Sequence, residues 1–149
     1  MVFDTDVLAA LGRVVVDAAG LETALAVFAG ERLALDARDT MGRPGMALKA
    51  ARRALHDVEA EFKPAYEAAF CEAESLLLRR HEFIHAIWSD ASEDNLSGIT
   101  VIHMRTFRKV DVSVQILDTF SQSLRDCRSK VIRLLAAEIN HRPVTDVIL

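Results

Sequence analysis

Apolar residues recur at Val7, Leu8, Leu11, Val14, Val15, Ala18, Leu21, Leu25 and Phe28, a three-four spacing that continues to about residue 37. The spacing matches the 3.6-residue period of an α-helix, whereas a half-buried strand needs strict alternation. A helix of that length draws most of its stability from burying its apolar face, so the rest of the chain must supply helices or sheets to cover it. Asp4 or Thr5 is the expected cap of this first helix, which spans 1–38. Gly12, Gly20 and Gly30 fall inside it and each costs up to about 1 kcal/mol relative to Ala, an arrangement that suits close helix contact or a bend near Gly20.

The pattern breaks at Asp39-Thr40-Met41-Gly42-Arg43-Pro44-Gly45, which reads as a loop. A second helix is expected over 46–60, with Leu48, Ala51, Leu55 and Val58 on its inner face. Pro64 suits the first turn of a third helix over 64–89, where its missing N–H costs nothing. Tyr66, Phe70, Ala73, Leu77, Ile84 and Trp88 form the seam of that helix, and Arg80 and His81 interrupt it with polar side chains. Residues 90–98 read as a loop. Ile99 to Arg108 is β-branched and aromatic enough for a strand or small hairpin, to be paired with Lys109 to Val112 or with the same strand of another subunit. A last helix over 113–141, capped by Asp111 or Ser113, carries Leu117, Phe120, Leu124, Cys127, Val131, Leu134 and Glu138 at near-heptad spacing. Pro143 stops it before the apolar tail Val144 to Leu149. The expected fold is mainly α: one domain over 1–149, a four-to-five-helix bundle with a small β strand or hairpin inserted before the last helix.

With 51% hydrophobic residues, 27% charged, 6 Gly and 3 Pro, the composition excludes a disordered or low-complexity chain. No apolar run approaches the roughly 18 residues of a membrane span, and the opening lacks a basic leader, so the expected location is cytoplasmic with no membrane partner. Cys71 and Cys127 are expected as buried thiols in a reducing compartment. The net charge of -4 is unevenly spread: residues 1–78 carry 8 basic and 13 acidic side chains, residues 79–149 carry 10 and 9. An anionic ligand is therefore expected on the second half. The apolar seams and tail exceed what one small bundle needs, which points to a homodimer.

The polar break carries two overlapping motifs. His81-Glu82-x-x-His85 matches the zinc-hydrolase helix pattern, in which two His one turn apart present nitrogens to Zn²⁺ and the Glu activates water. Its flanks lack the third ligand: Trp88 and Ala91 stand where the extended motif needs Gly and His. Arg79 and Arg80 also bring positive charge to the site, so no metal or cofactor is expected.

The second pattern is Arg80-His81-x-x-x-His85-x-x-Trp88, closing a third helix that precedes a β excursion and a long final helix. It resembles uncharacterised bacterial proteins of the HEPN family (higher eukaryotes and prokaryotes nucleotide-binding), whose usual form is Arg-Asn-x-x-x-His-x-x-Trp; His81 stands in place of the commoner Asn. The resemblance implies a metal-independent endoribonuclease formed by a homodimer with facing motifs. His85 would then be the general acid/base, Arg80 the phosphate contact and His81 an orienting group. The chemistry suits these side chains: a His near pKa 6.5 exchanges protons with the 2′-hydroxyl or 5′-oxygen at neutral pH, and an Arg fork grips phosphate oxygens. Five residues apart, Arg80 and His85 differ by about 140° around the helix, so a partner's copy would complete the site.

Arg79, Arg105 and Arg108 are further candidates for RNA phosphate contact, alongside His103 and Lys109; a charged strand edge is the competing reading. Arg80 has a structural reading too, pairing across the bundle with an acid such as Glu22. Trp88 reads as a core anchor, and Arg125, Arg128, Lys130 and Arg133 as a solvated face. Besides the nuclease, a non-catalytic module binding a cognate protein partner is expected as the rival function.

Overall fold

The computed structural model describes residues 5–85, 87–89, 99–102 and 109–148. The elements are α1 (Thr5–Leu33), α2 (Ala37–Met41), α3 (Met46–Ala54) extended by a 3₁₀ turn (Leu55–Asp57), α4 (Lys63–His85), β1 (Ile87–Ser89), β2 (Ile99–Ile102), β3 (Lys109–Val112), α5 (Val114–Ile139) and α6 (Thr145–Ile148). The described chain is mainly α-helical. Among the described residues no helix is long and apolar enough to cross a membrane.

Helix α1 packs most extensively on α5 and then on α3. The contacts Arg13–Asp118, Asp17–Ser121 and Arg32–Glu138 climb both helices in the same order, so α1 and α5 run parallel. Helix α4 runs antiparallel to α1, since Tyr66 and Phe70 meet Phe28 while Arg80 meets Glu22. The core lies where the three long helices converge: Phe28, Tyr66 and Phe70 form an aromatic cluster with centroids 4.7 to 5.8 Å apart, and Leu21, Leu25, Leu117, Leu124 and Leu134 fill the space around them.

The first helix stops at Leu33 rather than 38, because Ala34 adopts φ +51° and lets the Leu35 N–H return to the Gly30 carbonyl at 3.3 Å. That is a Schellman ending, and it satisfies an orphan carbonyl of the last turn. Helix α2 straddles the expected end of the first helix and the start of the expected loop at Asp39, and is nucleated by a capping box. The Asp39 N–H donates to the Asp36 carboxylate at 2.9 Å, and the Asp36 N–H donates back to the Asp39 carboxylate. The second helix is shorter than 46–60, for Val58 is already extended. Gly20 admits the Arg128 side chain, whose Nη1 would lie 2.6 Å from an added Cβ, so this glycine serves close packing.

The third helix ends at His85, not 89, and Trp88 belongs to β1. Phe83, rather than Ile84, enters the core, with its ring 5.2 Å from Phe120. The strands form an antiparallel sheet in the order β1-β2-β3, with Ile87 opposite Ile102 and Ile99 opposite Val112. Residues 103–108, which fall within the expected strand or hairpin, lie outside the described residues. Ser113, not Asp111, caps α5 by accepting the Ile116 N–H at 3.2 Å. After α5, His141 (φ +51°) repeats the Schellman ending, and Val144 and Val147 fold back onto the core.

Two further expectations are corrected. Both cysteines are free thiols, but Cys71 is exposed while Cys127 is buried. The basic residues of α5 are not simply solvated: Arg125 donates to Asp17 at 3.2 Å and Lys130 pairs with Glu72.

Candidate functional site

Arg79 and Arg80 are neighbours in sequence but stand about 100° apart on α4, and they serve different partners. Arg80 turns toward α1, where its Nη2 donates to Oε2 of Glu22 at 3.3 Å; the two side chains are only 20% and 18% exposed. Its Nε is buried without a hydrogen-bond partner among the described residues. Arg79 turns toward α5, its guanidinium carbon 5.5 Å from the Phe83 ring centre and 5.3 Å from that of Phe120, within cation–π range. Arg79 therefore does not line the groove to which Arg80 contributes.

His81 is exposed and joins Arg80 in the wall of a groove of about 740 Å³ between α3 and α4. Leu48, Leu77 and Leu78 form its apolar floor. Two ion pairs bound it: Arg80–Glu22 on the α1 side, and Arg52–Glu74, which bridges α3 to α4 at 2.6 Å. Lys49 and Arg53 line the same groove and have no ion-pair partner among the described residues. A smaller cavity of about 190 Å³, lined by Glu22, Thr40, Arg43, Ala47 and Arg80 among others, shares the Arg80–Glu22 pair with the groove.

His85 is the last residue of α4, and its side chain lies outside the described residues, as do His103, Arg105 and Arg108. Of the sequence-derived site, Arg80 and His81 come together. The α3 cations were missed in the sequence. Their signal is Lys49, Arg52 and Arg53 at i, i+3 and i+4, which puts all three on one helix face. Folding sets these first-half cations in the groove that Arg80 also lines.

A separate polar cluster ties the other end of the bundle. The Tyr66 hydroxyl donates to Glu138 at 2.9 Å, Arg32 pairs with the same carboxylate, and the Arg32 guanidinium sits 4.0 Å over the Phe28 ring. Burial, reinforced by the Glu138 hydrogen bond, drives the Tyr66 hydroxyl well above the ordinary tyrosine range. Burial also pushes the Cys127 thiol up to about 12, with the Glu72 charge adding to the shift. Neither group is a nucleophile near neutral pH.

Among the described residues no group of three His, Cys, Asp or Glu side chains is placed to hold a metal ion. Comparison with known proteins finds no matching family model, no matching curated protein and no matching solved structure.

Proposed function

We propose that the chain is a HEPN-like helical protein that binds the phosphates of RNA or of a nucleotide at the Arg80 end of the α3–α4 groove. One observation carries this reading: the motif residues Arg80 and His81 line a groove that also holds Lys49, Arg52 and Arg53. A cluster of cations on a rigid helix pair supplies the sequence-independent attraction that phosphate binding needs. In the nuclease form of the proposal, His85 moves the proton, Arg80 steadies the phosphorane and His81 orients them, with a second copy completing the site. Exposed Leu8, Val15 and Val16 on α1, the last 69% exposed, favour such a second copy. A reducing cytoplasm suits the two free thiols.

The Arg80–Glu22 pair favours a second reading. A guanidinium already engaged by a carboxylate is a poorer phosphate ligand, which suits a non-catalytic module for a cognate partner.

The test is incubation of wild type and His85→Ala with mixed RNAs in EDTA, together with RNA retention by wild type, Arg80→Ala and Arg80→Lys. Cleavage that survives chelation and vanishes in His85→Ala supports the nuclease. Retention without cleavage, lost in Arg80→Ala and kept in Arg80→Lys, supports phosphate binding alone. Absence of both cleavage and retention overturns the proposal.

A further inference from the structure

The α3–α4 groove has a composition that phosphate binding alone does not use. Its volume of about 740 Å³ falls inside the usual range for small-molecule sites, roughly 300–1,000 Å³. Leu48 and Leu77 are half-buried in its floor, and Leu78 is 64% exposed there, although α4 has polar positions to spare. Its described lining residues include no Phe, Tyr or Trp and offer a base only the His81 imidazole and the arginine planes to stack on, whereas an aliphatic chain finds three leucines.

Charge then decides what such a chain must carry. Glu74 is taken by Arg52 and Glu22 by Arg80, so the two acids in the lining are already neutralised. Among the described residues Lys49 and Arg53 have no ion-pair partner, and they stand one turn apart on α3 in the lining that also holds the leucines. An uncharged apolar ligand would leave both cations partly desolvated without a partner, and a polyanion would leave the leucines uncovered.

We infer that the groove binds a small aliphatic anion, its carboxylate or phosphate head between Lys49 and Arg53 and its hydrocarbon chain along Leu48, Leu77 and Leu78. This goes beyond the RNA reading and does not depend on it. Because Arg80 and His81 line the same groove, a bound aliphatic anion competes with a nucleic-acid phosphate for that end of α4.

The experiment is calorimetric titration of the full chain with decanoate and with decyl phosphate, each below its micelle concentration. Decanol and inorganic phosphate serve as head-less and chain-less controls. One-to-one binding of at least one amphiphile is expected, at least about tenfold tighter than either control, and the preferred head separates a carboxylate from a phosphate ligand. Lys49→Glu combined with Arg53→Glu, and separately Leu78→Glu, should each weaken binding by about tenfold or more while leaving the circular dichroism unchanged, because all three side chains sit at the surface. Failure of both amphiphiles to bind, binding no tighter than decanol, or affinity indifferent to both variants overturns the inference. So does capture of the protein by anionic vesicles without binding of the monomeric amphiphiles. RNA cleavage and retention are read separately, so a negative RNA result leaves this one standing and the reverse holds equally.

Discussion

Arg80 on α4 donates to Glu22 on α1 at 3.3 Å, and with this bond the one polar interruption of the α4 seam becomes a bridge between two helices. A half-buried guanidinium needs that carboxylate. Glu22→Ala should destabilise the fold by about 1–3 kcal/mol, less than the loss for a fully buried pair because both side chains keep some solvent contact. Glu22→Leu combined with Arg80→Met should recover most of it, since the leftover charge is what costs. Urea titrations of Glu22→Leu, Arg80→Met and the double variant measure the coupling. A double variant as unstable as the sum of the singles would mean that the pair contributes nothing as a pair.

Glu138 gathers Tyr66 and Arg32 at the opposite end of the same helices. Tyr66→Phe removes one donor while Arg32 still satisfies the carboxylate, so its cost should be about 1–2 kcal/mol. Glu138→Ala strands the Arg32 guanidinium against Phe28 and should cost more, about 3–5 kcal/mol, because that charge is mostly buried. Chemical denaturation of the two variants ranks them; the reverse order would show that the hydroxyl, not the charge, anchors α5.

Alkaline pH should unfold the protein through two buried acids. Cys127 rises from the ordinary thiol value of 9.0 to about 12 when folded, and Tyr66 also rises above its ordinary 10.0. Above those ordinary values the unfolded chain releases protons that the folded chain keeps. Their stabilisation is therefore complete below about pH 9 and declines as pH rises, by up to about 1.4 kcal/mol per pH unit for each group. Cys127→Ala should be less stable than wild type at pH 8, and the gap should narrow by about 1 kcal/mol by pH 10. Tyr66 is the one tyrosine of the chain, so phenolate absorbance reports on it alone. That absorbance should rise together with unfolding; a rise in the folded protein would refute the burial argument.

Helical periodicity made the long elements legible: Val14, Ala18, Leu21, Leu25 and Phe28 stand in the core where the three-four spacing put them. Boundaries were harder, because they depend on backbone states that spacing does not encode. Ala34 takes a left-handed conformation without being glycine, and the Asp36–Asp39 box starts a helix in a stretch whose glycines and proline read as loop. At the site, the Arg80 anomaly was visible as a polar break, and Glu22 was nameable as its partner. Lys49, Arg52 and Arg53 were not, since only the packing of α3 against α4 brings them to Arg80.

Two glycines should respond to alanine in opposite directions. Gly12 lies in α1 with no atom within 4 Å of the Cβ it lacks, so Gly12→Ala meets no clash and gains helix propensity, about 0.5–1 kcal/mol. Gly45 precedes α3 at φ +80°, a conformation that a Cβ penalises even in open space. Gly45→Ala should therefore lose about 1 kcal/mol, and by shifting the start of α3 it should disturb Lys49 and the groove as well. Thermal denaturation at matched concentration gives both signs. A loss of stability in Gly12→Ala would place another backbone against that face of α1, where the chain alone leaves open space.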